Sequence, residues 1–190
     1  MKDRGNMKKL TLDRRARRQR GMTLVETMIA IAIGLIIVAV GIKGVSGAMS
    51  DSRSTDEVGD LPKIFTNMQK VYGQRASFAG ATQAIFVNSN AFPTSMTTSG
   101  STNVTNRWGG AVTIGVTSIA GGTNNALTYE TTGVPSAECN NIIPQLDNVV
   151  RVVTVNGTSV KADRNPTDLA ALTTACSASA SNDVIYTISK

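Results

Sequence analysis

The 190-residue chain contains no histidine. That removes His-dependent triads, imidazole metal sites and the usual near-neutral general base. Aromatic residues are scarce at 4%, and carboxylates are not clustered, so neither a deep apolar catalytic pocket nor a calcium-binding loop is expected. Gly121-Gly122 is followed by no Lys-Ser/Thr pair and no helix signal, which makes it a turn rather than a phosphate cradle. Arg107-Trp108-Gly109-Gly110 is the most distinctive local motif of the body. Its simplest role is structural, with Trp108 anchoring a loop and the glycines turning the chain into the next strand. With no His and no clustered carboxylates hydrolase activity is not expected, and loss of an enzymatic signal on mutating Asp163 or Asp168 would overturn that. No catalytic residue, metal or cofactor is therefore predicted, and the chain is not expected to be an enzyme.

What is abundant is Thr, Ser, Asn, Ala and Gly, a composition suited to a β-rich, exported, assembly-type protein. The formal charge of +6 is unevenly placed. Residues 1–21 hold nine Lys or Arg and two Asp, a net of +7, which leaves the remainder at −1. The body is nearly neutral with scattered basic residues, so it presents no nucleic-acid-binding face. Cys139 and Cys176 are the only cysteines. In a cytosolic protein they would stay unpaired; in an exported one a single disulfide is favoured, worth roughly 4 kcal/mol by chain-entropy reasoning.

From Met22 to Val45 the chain reads MTLVETMIAIAIGLIIVAVGIKGV, with only Glu26 and Lys43 charged. As a helix this run is about 36 Å long, enough to cross a ~30 Å hydrocarbon core. The basic residues before it place 1–21 in the cytoplasm and the remainder outside. Residues 46–75 continue as an amphipathic helix. Gly59-Asp60-Leu61-Pro62 marks a kink or restart, followed by an apolar stripe of Ile64, Phe65, Met68, Val71 and Tyr72 that packs on the globular part.

Residues 76–190 form that globular part. Strands are predicted over 84–88, 112–116, 126–131 and 184–188, with a hairpin over 149–161 turning at Asn156-Gly157. Short helices are expected over 135–146 and 166–176, each carrying one cysteine, and a surface loop over 94–106. The fold class is α+β: a long N-terminal helix, half in the membrane and half packed on an antiparallel sheet.

Glu26 is the residue that least fits a membrane span. Thr23-Leu24-Val25-Glu26 has capping-box spacing, and a carboxylate in the first turn suits the helix dipole. Neither explains why the basic segment ends in Gly21. Cleavage after Gly21 would leave a positive amine on Met22. In a bundle of parallel helices that amine meets the Glu26 carboxylate of a neighbour, and this one charge pair sets axial register. A basic leader, a Gly junction and Glu as fifth residue of an apolar helix together resemble the type IV prepilins over residues 8–45. Downstream the resemblance covers architecture, including paired cysteines bounding 139–176 near the C-terminus.

The resemblance implies cleavage after Gly21 by prepilin peptidase, N-methylation of Met22, and an assembly role for Glu26. It implies partners as well: the inner membrane before assembly, the pilus assembly machinery, and other copies of the chain in an extracellular homopolymer. Met22 in place of Phe and the 21-residue leader look like the type IVb branch, whose filaments serve adhesion, aggregation or conjugative mating. The Pro of the type IVa helix is replaced by Lys43, and Gly34, Gly41 and Gly44 are the candidate melting positions. Two alternatives stay within the class: a minor pilin, or a pseudopilin of type II secretion. A third is a secreted protein with an ordinary signal peptide cut after Ala48.

Overall fold

The computed structural model describes residues 23–190; within its first helix, the side chains of 40–48 lie outside the described set. The chain divides into two compact units, Met1–Gly44 and Val45–Lys190, each described by itself. Helix α1 spans Leu24–Val71. After it come α2 (Gln83–Asn88), β1 (Val104–Thr105), β2 (Ala111–Thr117), β3 (Ala126–Pro135), α3 (Ser136–Gln145), β4 (Val152–Val155), β5 (Thr158–Lys161), α4 (Leu169–Ser177) and β6 (Ser181–Ser189). The six strands make one antiparallel sheet in the order β1-β2-β3-β6-β4-β5. The C-terminal strand thus lies near the centre, between β3 and β4.

In the first unit, the described apolar side chains from Leu24 to Val38 are exposed on every side of the helix. Among the described residues, no helix is long and apolar enough to cross a membrane. The predicted span over 22–45 runs beyond the described side chains. Its described side chains end at Ala39 and resume at Met49, while the helix itself continues unbroken to Val71.

In the second unit, α1 presents Leu61, Ile64, Phe65 and Met68 to the core and the turn after it adds Tyr72, all 4% exposed or less. Phe65 stands edge-on to Tyr129 of β3, with ring centroids 5.6 Å apart, and also meets Tyr186 of β6 at 6.3 Å. Tyr72 packs on Phe78 and Phe86. Each such ring contributes about 1.5–3 kcal/mol by burial. The Gln69 amide donates to the Ser189 carbonyl (2.6 Å) and the Lys190 ammonium to the Tyr72 carbonyl (2.6 Å), tying the end of α1 to the end of β6.

Several expectations change. Residues 84–88, predicted as a strand, form α2, a short helix that buries Phe86 completely. Pro62 does not restart α1, which runs on through it. Proline removes one backbone bond there, and burial of Leu61, Ile64 and Phe65 around it outweighs that loss. Val71, placed in the apolar stripe, is 37% exposed, while Leu61 is buried instead; the 61, 64, 68, 72 row follows one helix face and position 71 lies at its edge, about 65° from the row's mean direction. The 94–106 tract is not wholly surface, since Met96, Val104 and Asn106 are buried.

Other elements hold with adjusted ends. β3 continues four residues past 131, through a bulge between Thr131 and Val134 where Gly133 takes φ +76°. The β4–β5 turn has Asn156 at φ +50° and Gly157 at φ +79°, the type I′ geometry that Asn-Gly favours. Cys139 of α3 and Cys176 of α4 form a disulfide, with Cα atoms 5.9 Å apart and a sequence separation of 37.

Candidate assembly site and a buried charge cluster

Thr23 caps α1. Its Oγ1 accepts from the Glu26 backbone N–H at 3.3 Å, and its carbonyl accepts from Thr27 N–H at 3.1 Å. Glu26 is thus the third residue of the helix, the position from which a capping-box glutamate answers. Its side chain is exposed amid Leu24, Val25, Met28 and Ile29, all exposed as well. This is one carboxylate on an apolar rod with no apolar partner among the described residues. Gly21 and Met22, the predicted cleavage junction and methylated residue, lie outside the described residues. At Gly34 a Cβ would meet nothing within 4 Å; the surroundings of Gly41 and Gly44 are not among those described.

The Arg107–Gly110 motif is a turn built on Asn106. The Asn106 amide oxygen accepts from Trp108 N–H (3.0 Å) and Gly110 N–H (2.8 Å), and its NH2 donates to Thr131 Oγ1 and to the Thr132 carbonyl. Gly109 adopts φ +81°. At Gly110 a Cβ would lie 1.7 Å from the Thr132 carbonyl oxygen, so only glycine fits. Trp108 is half-buried against the core, as an anchor should be.

Arg107 reaches from this turn to α1. Its guanidinium pairs with Asp60, and lies 3.6 Å from Asp56 and 3.4 Å from Glu57. Lys63 also contacts Asp60, at 3.2 Å. Glu57 is only 2% exposed. Burial pushes its carboxyl up to about 7, opposed by the Arg107 charge and reinforced by Asp60. Sequence reasoning missed this cluster. The Asp56/Asp60 spacing of four does put two acids on one helix face, but their partner lies 47 positions away.

Asp163 and Asp168, the acids weighed as catalytic, have structural partners. Asp163 pairs with Arg151 at 2.6 Å, and that hydrogen bond holds its carboxyl below the usual range. Asp168 caps α4 by accepting from Ala170 and Ala171 N–H groups. Asp147 accepts from the buried Lys161 at 2.8 Å and from Thr167, and these bonds lower its pKa. Among the described residues no group of three or more His, Cys, Asp or Glu is placed to hold a metal ion.

The comparisons decide the family. The family described as PilS N terminal matches residues 51–189, and the prokaryotic N-terminal methylation motif matches residues 16–42. The chain belongs to the PilS family of type IV prepilins. Similar solved structures are those of pilins. The type IV b pilin from Salmonella typhi is 19% identical with TM-score 0.56, covering 70% of this chain and 97% of its own. TcpA, a type IV pilin from Vibrio cholerae El Tor biotype, is 12% identical with TM-score 0.56, covering 73% of this chain and 99% of its own. At these identities the likeness establishes a shared fold. No curated protein matches the chain. A type IV prepilin is a pilus subunit precursor, anchored in a membrane before it enters an extracellular pilus, and its relatives are structural proteins rather than enzymes.

Proposed function

We propose that this prepilin is the major subunit of a type IVb pilus. Prepilin peptidase cuts after Gly21 and the new Met22 amine is N-methylated. The helix over 22–45 holds the single-pass precursor in the inner membrane with its C-terminus outward, then packs at the filament core beside copies of itself. The observation that carries this reading is the exposed apolar surface from Leu24 to Val38, broken by a lone carboxylate at Glu26. A helix that is hydrophobic all round is buried somewhere, and among the described residues nothing in the same chain covers it. The Met22 amine supplies the opposite charge that a carboxylate in such surroundings requires. The type IVb assignment draws support from the long leader, from Met at the mature N-terminus, and from the fold shared with the Salmonella typhi type IV b pilin.

The filament would serve adhesion, aggregation or conjugative mating through its exposed head surfaces. One such surface is an open polar cleft of about 550 Å³ in the disulfide-bounded region, lined among others by Asp147, Arg151, Lys161 and Arg164. The deciding experiment is intact-mass analysis of filaments sheared from cells. A chain starting at N-methylated Met22 is expected; a chain starting at Met49 would end the proposal. A strain lacking the chain, scored for filaments, aggregation and plasmid transfer, then assigns the role.

A further inference from the structure

Among the described residues, every buried side-chain polar atom that makes no hydrogen bond within the protein belongs to Glu57, Arg107, Trp108 or Tyr129. Both carboxyl oxygens of Glu57 are in this set, together with Arg107 Nε, the indole Nε1 of Trp108 and the Tyr129 hydroxyl. Such groups are costly when buried without partners, and for the Glu57 carboxyl the surrounding charges set the balance between its neutral and ionised forms.

The charges that face Glu57 explain the balance. From its own helix come Asp56 and Asp60; from the Asn106–Gly110 turn comes Arg107, already engaged by Asp60. From the sheet come two buried phenols, Tyr129 of β3 and Tyr186 of β6, both of which sense the Glu57 charge. With Lys63 on Asp60, the group carries two cations against three carboxylates when Glu57 is ionised, and is neutral when Glu57 is protonated.

We propose that Glu57 is a proton-operated latch between helix α1 and the Asn106–Gly110 turn. With its carboxyl neutral, the turn closes on the helix as in this structure. Ionisation sets Glu57 against Asp60 for the single Arg107 guanidinium, draws water to the cluster and loosens the turn. The inference concerns the head alone and is independent of the filament reading.

The direction of the pH effect follows from the folded and unfolded carboxyls. The unfolded one titrates near 4.5 and the folded one at about 7. Across that interval the folded chain binds the extra proton, so the stability supplied here falls as pH rises from 4.5 to 7 and then levels. The paired Asp147 and Asp163 are shifted downward and titrate below this window. The chain has no histidine to obscure it.

Trp108 is the only tryptophan and follows Arg107 directly, so its fluorescence reports the latch. The full-length chain in detergent is titrated from acid to alkaline pH. We expect a one-proton change in Trp108 emission centred near 7, lost in Glu57→Gln. In Asp60→Asn the midpoint should move to lower pH, because Asp60 no longer repels the Glu57 carboxylate or competes with it for Arg107. No transition in the wild type, or an unchanged one in Glu57→Gln, overturns the latch. If Glu57→Gln does not fold, Asp60→Asn decides: a lowered midpoint supports the proposal and an unmoved one overturns it.

Discussion

Two stretches of one helix solve opposite problems. From Leu24 to Val38, α1 is apolar on all sides and exposed; from Leu61 to Tyr72 it carries one apolar row, and that row is buried. The backbone geometry is the same in both. What differs is where the partner lies. The second stretch finds Phe78, Phe86, Tyr129 and Tyr186 within its own chain. The first has no such partner among the described residues, and the filament proposed above supplies copies of itself. On the filament reading proposed above, one helix would serve intramolecular folding at one end and intermolecular assembly at the other, distinguished by how its apolar residues are spaced.

The comparison breaks most decisively at Glu26. Glu26→Ala should leave processing and head folding intact yet abolish filaments, checked by electron microscopy of sheared fractions beside circular dichroism of the extracted chain. Normal filaments would show that the charge pair does not set register. In the other stretch, Phe65→Ala should destabilise the head by about 4 kcal/mol through loss of burial and the cavity left behind. That corresponds to a fall in Tm of roughly 10 °C, read by thermal unfolding, with the mature N-terminus unchanged. Cys139→Ser should cost a comparable amount, roughly 4 kcal/mol, by reopening the loop to Cys176.

Smaller effects sharpen the contrast. Gly34→Ala meets no neighbouring atom and should stabilise the assembly half by about 1 kcal/mol. Slower hydrogen exchange around position 34 in filaments would show it. Unaltered exchange would count against a melting segment centred on the glycines. Val71→Ala should change head stability by less than about 0.5 kcal/mol, since Val71 lies off the buried face. A loss as large as that of Phe65→Ala would mean that the stripe runs along 64, 68 and 71 after all.

Local signals were legible where one residue type admits one backbone solution. Asn156-Gly157 announced its hairpin, Thr23 its helix cap, and the alternation of Val112, Ile114 and Val116 its strand. Signals failed where a short segment fits two conformations and packing chooses between them. Ala84–Asn88 has the β-branched and aromatic content of a strand, yet it folds as a helical turn because burying Phe86 requires no strand partner. Pro62 looks like a boundary, but the core on one face of α1 holds the helix together across it. Asn106 reads as an ordinary loop residue in the sequence, because nothing local distinguishes an Asn that organises four hydrogen bonds from one in solvent.

The sequence by itself determined the class of this protein. The basic segment ending in Gly21, the apolar run with Glu26, and a histidine-free, nearly neutral body are matters of composition and spacing that no folding event alters. Only the tertiary structure decided which charges meet. Arg107 stands far from Asp56, Glu57 and Asp60 in the chain, and no periodicity links them. It is the packing of α1 on the central strands β3 and β6 that brings the turn over Glu57 and buries its carboxyl. Desolvation is a property of that packing, not of the residue, so the ordinary glutamate read at position 57 became a proton-sensitive group only once the sheet closed beneath it.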